Sequence, residues 1–235
     1  MKPSSNINPH VSVDCVIFGF DENKLKVLLI EQKHPGKEVK RRFALPGDLV
    51  YEDEGLDQAA GRVLEELTCL KGLFLRQFYA FGDPHRASSE KDRDWLETYR
   101  TKPDARVISI AYYSLVKMEE YQPGAGSFAA SSSWYDINEI PELAFDHNLI
   151  LEKALACLRE EISYDRIGSD LLPKKFTLSQ LQRLYEAILD RPLDKRNFRK
   201  AVKKMDHIRP LDERQTGVSH KPAQLFRFVQ NKKRI

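Results

Sequence analysis

Apolar positions in this chain follow two periods, and the change from one to the other outlines its elements. Residues 11–20 and 25–30 are runs of branched and aromatic side chains interrupted by Asp21-Glu22-Asn23, a pattern of two strands and a turn. The spacing then changes: Leu56, Ala59, Ala60, Val63, Leu64 and Leu67 share one side of a helix over 56–67. Strand-like runs return at 74–81, 107–117 and 131–137, the last after the glycine-containing stretch PGAGSFAASS. Asp146 is placed to cap a helix running to about Ile162.

The end of the chain is patterned differently. Leu178, Leu181, Leu184, Tyr185 and Ile188 line one helix face. Two local signals fix its start: Thr177 with Gln180 makes a capping box, and Phe176 with Leu181 occupies the positions of a hydrophobic staple. After Asp190-Arg191-Pro192 a second helix starts from Asp194, with Leu193 and Phe198 repeating the staple. Phe198, Ala201, Val202 and Met205 point inward, while Arg196, Lys200 and Lys203 project oppositely, flanked by Arg199 and Lys204. The segment HIRPL, a polar turn over 212–221 and the alternating run QLFRFV add a hairpin, so the order is that of a helix-turn-helix with a wing.

Charge separates the two parts. The net charge of +3 hides 17 Lys and Arg against 6 Asp and Glu from Lys174 onward, and 21 against 29 before it. Two bodies with different partners are expected: a loose N-terminus at 1–9, a sensing domain at 10–160, a linker at 161–173 and a DNA-binding domain at 174–235. A solvated helix face is the plain account of a basic run. Here the charge imbalance, helix order and hairpin together favour double-stranded DNA, with Thr177, Lys195, Arg196, Asn197, Arg199, Lys200, Lys203, Lys204, Arg214 and Lys221 as candidate contacts. Cys15, Cys69 and Cys157 are far apart and lack metal-ligand spacing, which fits reduced thiols in a cytoplasmic protein. No long apolar run predicts a membrane partner.

Candidate chemistry lies in GDLVYEDEGLDQAAGRVLEELTC, residues 47–69. With its Leu45-Pro46 lead-in, this resembles the Nudix box: Gly, five residues, Glu, seven residues, then Arg-Glu-apolar-any-Glu-Glu-any-Gly-apolar. Matched on Gly47, the box keeps Glu65 and Glu66 and has Asp53 for its first Glu. Gly61 then replaces the Arg, Arg62 a metal-binding Glu, and Thr68 the closing Gly. In an active Nudix hydrolase the helix carboxylates hold magnesium, which prefers oxygen ligands. A guanidinium among them predicts a non-enzyme with no catalytic residues, metal or cofactor. Arg62 and Glu66, at i to i+4 spacing, also read simply as a surface ion pair.

In the Nudix fold, an α/β/α sandwich, the loops before the box approach the ligand. The basic loop HPGKEVKRR therefore makes Arg42 and Phe43 candidates beside Gly47, Arg62, Glu65 and Glu66. The segment 83–106 carries Trp95 and Tyr99 amid six basic and six acidic residues. Its aromatics can stack on a base, and Arg86 or Arg106 can face phosphates, or all can be packing and surface groups.

Taken together, and above all in LLPKKFTLSQLQRLYEAILDRPLDKRNFRKAV, the chain resembles the Nudix-related transcriptional regulators of bacteria, the NrtR-like branch of NAD metabolism. The resemblance implies an α+β protein, a homodimer on a palindromic operator, and repression of NAD-metabolism genes relieved by ADP-ribose. The basic, aromatic insert suits a charged nucleotide better than a neutral sugar such as arabinose, the effector in other branches. The competing expectation is an ADP-ribose pyrophosphatase with an accessory basic domain.

Overall fold

The computed structural model describes residues 7–21, 23–33, 42–162, 168–219 and 221–229. Residues 34–41 of the basic loop and 163–167 of the expected linker lie outside them. Two compact units are present, Met1–Gly19 with Lys26–Cys157, and Phe20–Leu25 with Leu158–Ile235.

The first unit is built on a seven-stranded sheet. β1 (Ile7–Phe20), β2 (Leu25–Gln32), β3 (Phe43–Ala44), β4 (Gly47–Tyr51), β5 (Arg76–Phe81), β6 (Ile108–Lys117) and β7 (Ala129–Asp136) pair in the order β3-β2-β1-β6-β5, with β4 on β1 and β7 on β2. β1 and β2 are buried on both faces, as central strands covered by layers on each side must be. Val13, Cys15, Ile17, Leu28 and Ile30 join one core with Ala59, Ala60, Val63, Leu64 and Leu67 of α1 (Leu56–Thr68). Val16, Phe18, Val27 and Leu29, the alternate residues, are equally buried and point the other way. α2 (Glu90–Tyr99) lies in the connection from β5 to β6, and α3 (His147–Ile162) follows β7.

The periodicity located β1, β2, β5 to β7 and α1, but not β3 and β4, whose few residues sit inside the lead-in and box. Asp146 precedes α3 as expected, and its carbonyl accepts from Leu149 and Ile150 at 2.9 and 3.1 Å. Its carboxylate instead holds Arg86 at 2.7 and 2.9 Å.

The second unit carries the winged helix. After a single turn, α4 (Gly168–Leu171), come β8 (Phe176–Thr177), α5 (Leu178–Leu189), α6 (Lys195–Val202), β9 (Ile208–Arg214) and β10 (Gln224–Phe228). The three strands pair antiparallel as β8-β10-β9. Both caps form as spelled. Thr177 Oγ1 accepts from Gln180 N–H at 3.2 Å while Gln180 Oε1 accepts from Thr177 N–H at 2.8 Å, and Asp194 accepts from Asn197 N–H at 2.8 Å. Phe176, Leu181, Leu184, Ile188, Phe198, Val202 and Ile208 form the core beneath. No helix among the described residues is long and apolar enough to cross a membrane.

Candidate functional site

Gly47 stands opposite Asp14 in the pairing of β4 with β1, and a Cβ there would lie 1.8 Å from Asp14 Oδ1. That close approach requires glycine. Asp14 is buried and accepts from Ser109, from Arg86 Nη2 at 3.4 Å, and from His147 Nε2 at 3.3 Å. His147 Nδ1 accepts the Leu45 N–H at 2.9 Å, so its proton sits on Nε2, facing Asp14. Burial alone would raise the Asp14 pKa, but His147, Arg86 and Ser109 hold it well below the usual carboxylate range.

From β4 the chain turns into α1, where the structure corrects the register of the box. Arg62 grips Glu54 with Nε at 2.9 Å and Nη2 at 2.6 Å, donates to Leu49 O at 3.0 Å, and lies 3.8 Å from the Tyr51 ring centroid. Its Nη1 reaches Glu66 at 3.0 Å. Burial works against the guanidinium charge, yet Glu54 and Glu66 raise its pKa further. Glu54 and Arg62 have seven residues between them, the spacing of the Glu and Arg in the Nudix pattern. Arg62 is therefore the box's own arginine, not a cation standing in for a metal-binding Glu. With the register moved by one, the three helix acids fall on Val63, Glu66 and Leu67, and the closing Gly falls on Cys69. Cys69 has a φ of 61°, the left-handed conformation for which glycine is the usual choice. Val63 and Leu67 are core side chains, 0% and 1% exposed.

Beside Arg62 and Glu66 opens a cleft of about 780 Å³. Trp95 and Tyr99 of α2 form one wall, stacked at 5.0 Å and 30°, with Phe128 edge-on to Trp95 at 5.3 Å. Tyr51, Asp48, Lys33 and Arg100 also line it. Lys33 Nζ donates to Ser127 O at 2.8 Å, and Tyr99 OH donates to Lys33 O at 3.3 Å. α2 is fixed by buried Asp92, which accepts from Arg42 and from Phe145 N–H at 3.2 Å.

The structure sorts the residues expected at the ligand. Arg62 and Glu66 line the cleft, while Gly47 borders a smaller recess shared with Asp48, Trp95 and Arg100. Arg42 is tied to Asp92, to Gln32 at 2.6 Å and to Lys91 O at 2.7 Å, so it fastens α2 instead of reaching a phosphate. Phe43 packs on Tyr135 at 5.2 Å. Glu65 turns away to Lys71 at 2.6 Å. Arg86 is held between Asp14 and Asp146, and Arg106 donates to Gly82 O at 3.0 Å outside the cleft. Sequence reasoning passed over Asp48, Tyr51 and Arg100. Arg100 was one of six basic residues in the insert, and only its buried Nη1 without an acceptor distinguishes it.

In the winged helix, Lys195, Arg196, Asn197, Arg199, Lys200, Lys203, Lys204, Arg214 and Lys221 are all exposed. Thr177 is not available to DNA: it is 3% exposed and its hydroxyl serves the cap. The hairpin adds Arg209 and Arg227, exposed and directly opposite each other across β9 and β10. Like charges at such positions repel unless an anion lies between them.

Fold and site thus define a class: a Nudix domain with an aromatic, ionic cleft joined to a cationic winged helix. Residues 8–156 match the Nudix domain family and residues 168–228 match the NrtR DNA-binding winged helix domain. The chain belongs to the NrtR-type transcriptional regulators of the Nudix family. It is 30% identical over 226 residues to the ADPR responsive transcriptional repressor NtrR of Acinetobacter baylyi, across 94% of this chain and 83% of that protein. It is 34% identical over 146 residues to an ADP-ribose pyrophosphatase of Methanocaldococcus jannaschii, across 62% of this chain and 73% of that enzyme. The crystal structure of Shewanella oneidensis NrtR complexed with a 27mer DNA shares the fold, with a TM-score of 0.68, 24% identity and 93% of each chain covered.

Proposed function

We propose that this protein is a transcriptional repressor that binds operator DNA through its winged helix and releases it when ADP-ribose occupies the Nudix cleft. The observation that carries this reading is the likeness to an ADP-ribose-responsive repressor along nearly the whole chain. We assign sensing to residues 10–160 and DNA reading to 174–235, joined by 161–173, in a cytoplasmic homodimer.

The effector is held without being cut. Two of the three helix positions that grip metal in a hydrolase carry Val63 and Leu67, leaving Glu66, itself paired with Arg62. A hard divalent cation needs several oxygen ligands, and this helix supplies one. The aromatic wall suits a nucleobase, and Glu66 and Asp48 suit ribose hydroxyls. A ten- to hundredfold loss of DNA affinity on effector binding requires about 1.4 to 2.7 kcal/mol of coupling.

Anisotropy of labelled DNA, selected by the protein from genomic fragments, should fall as ADP-ribose is added. No response from micromolar to millimolar effector would remove this ligand while leaving DNA binding intact. The likeness to an ADP-ribose pyrophosphatase supports a second reading, an enzyme with a DNA-binding appendage. Magnesium-dependent release of AMP at enzyme-like turnover would establish it in place of the first.

A further inference from the structure

Two donors in the cleft are buried and have no acceptor among the described residues: the indole Nε1–H of Trp95 and Nη1 of Arg100. Both come from α2 or its C-cap, and both side chains line the cleft. Trp95 is 2% exposed. The Arg100 side chain is 13% exposed, and its nearest carboxylate, Asp48, stands 3.7 Å away, beyond hydrogen-bond reach. Its guanidinium carbon lies 5.7 Å from the Trp95 ring centroid, so the two groups are neighbours. Burial lowers the Arg100 pKa, with Asp48 and Asp14 compensating only in part.

Such an arrangement is unfavourable in the empty protein, because buried donors without partners lose their hydration and gain nothing in return. It becomes favourable when a ligand brings acceptors. A guanidinium presents a planar fork that matches two oxygens of a phosphoryl group, and a nearby indole donates singly. Lys33 adds a cationic rim on the same cleft. Arg42 is already committed to Asp92, Arg62 to Glu54, and Arg86 to Asp146 and Asp14.

We propose that Arg100 and Trp95 form the anchor for the diphosphate of the effector, making them the residues that select a phosphorylated nucleotide over a nucleoside or a neutral sugar. This rests on the reading of the cleft as the effector site, and it names the chemistry recognised there. The aromatic pair and the anchor come from α2 and its C-cap, so one short segment reads both base and diphosphate.

The test is calorimetric titration of the full chain and its Arg100→Met, Arg100→Lys and Trp95→Phe variants with ADP-ribose, inorganic pyrophosphate and adenosine, alongside melting of each unliganded protein. Arg100→Met should weaken ADP-ribose and pyrophosphate by roughly ten- to hundredfold, the usual worth of a charge-assisted hydrogen bond. Adenosine affinity should stay unchanged. Unliganded Arg100→Met should melt at or above the parent, since it removes a desolvated guanidinium whose Nη1 has no acceptor and whose nearest carboxylate stands 3.7 Å away. Arg100→Lys should recover part of the affinity, and Trp95→Phe should lose less than Arg100→Met because it removes one donor and keeps a ring. A variant that keeps ADP-ribose affinity but melts lower would overturn the anchor and make Arg100 a structural residue, leaving the effector reading in place. A parent that binds pyrophosphate but not ADP-ribose, and loses it with Arg100→Met, would retain the anchor and discard the effector. A parent that binds neither would sink both.

Discussion

Replacing Arg62 with glutamate separates the two registers of the Nudix box. Matched on Gly47, the substitution restores a metal ligand beside Glu65 and Glu66, so magnesium should stabilise the variant. In the register set by Glu54 and Arg62, it destroys the clamp that holds the box turn to α1. The Arg62 and Glu54 side chains are 16% and 11% exposed, so each is largely withdrawn from water. The guanidinium also satisfies Leu49 O and covers the Tyr51 ring. Removing one member of a well-buried pair costs 3 to 5 kcal/mol, and partial exposure favours the lower end, so a loss of roughly 3 kcal/mol is expected. For a domain of this size that lowers the melting temperature by about 6 to 12 °C. Thermal melts of parent, Arg62→Glu and the charge-swapped Glu54→Arg/Arg62→Glu pair, with and without millimolar magnesium, read this directly. The swap should recover part of the loss, and magnesium should do nothing for the single variant. An Arg62→Glu protein that melts like the parent and gains stability with magnesium would refute the corrected register.

Gly61→Ala should raise stability by about 1 kcal/mol, because a Cβ at this mid-helix position meets no atom within 4 Å; chemical denaturation checks it. Arg196→Glu with Lys200→Glu should abolish DNA binding in an anisotropy assay while leaving the melting curve intact, since both side chains are exposed on α6. Affinity of the parent should fall steeply with salt, with a log-log slope of about 0.9 for each phosphate neutralised. Asp14, whose pKa is lower folded than unfolded, contributes stability that is complete above its unfolded value and lost as pH falls below that value toward the folded one. Acid denaturation of Asp14→Asn, followed by circular dichroism, should therefore be shallower between about pH 4 and pH 2 than that of the parent.

Much of this architecture is written locally. The stripe of α1, the Thr177–Gln180 box and the Asp194 cap depend on neighbours within a turn, and each formed where its spelling placed it. The register of the Nudix box is not local in that sense. Counting from Gly47 gives one alignment, and only the partner chosen by Arg62 across the turn shows that the count slips by one. The insert was legible as a charged segment carrying Trp95 and Tyr99, but which of its charges are exposed depends on packing from distant strands. Arg42 illustrates this, since its partner Asp92 is 50 positions away. Arg86 does likewise, drawn inward by two carboxylates that no spacing connects.

α2 lies outside the sheet and is moored by Asp92 and by Trp95 and Leu96 packed in the core. The groups proposed to recognise base and diphosphate sit within six consecutive positions of it, from Trp95 to Arg100. On that proposal, the reading of base and diphosphate is concentrated in one short segment, and substitutions there should retune which metabolite the cleft accepts while the DNA reader is inherited unchanged.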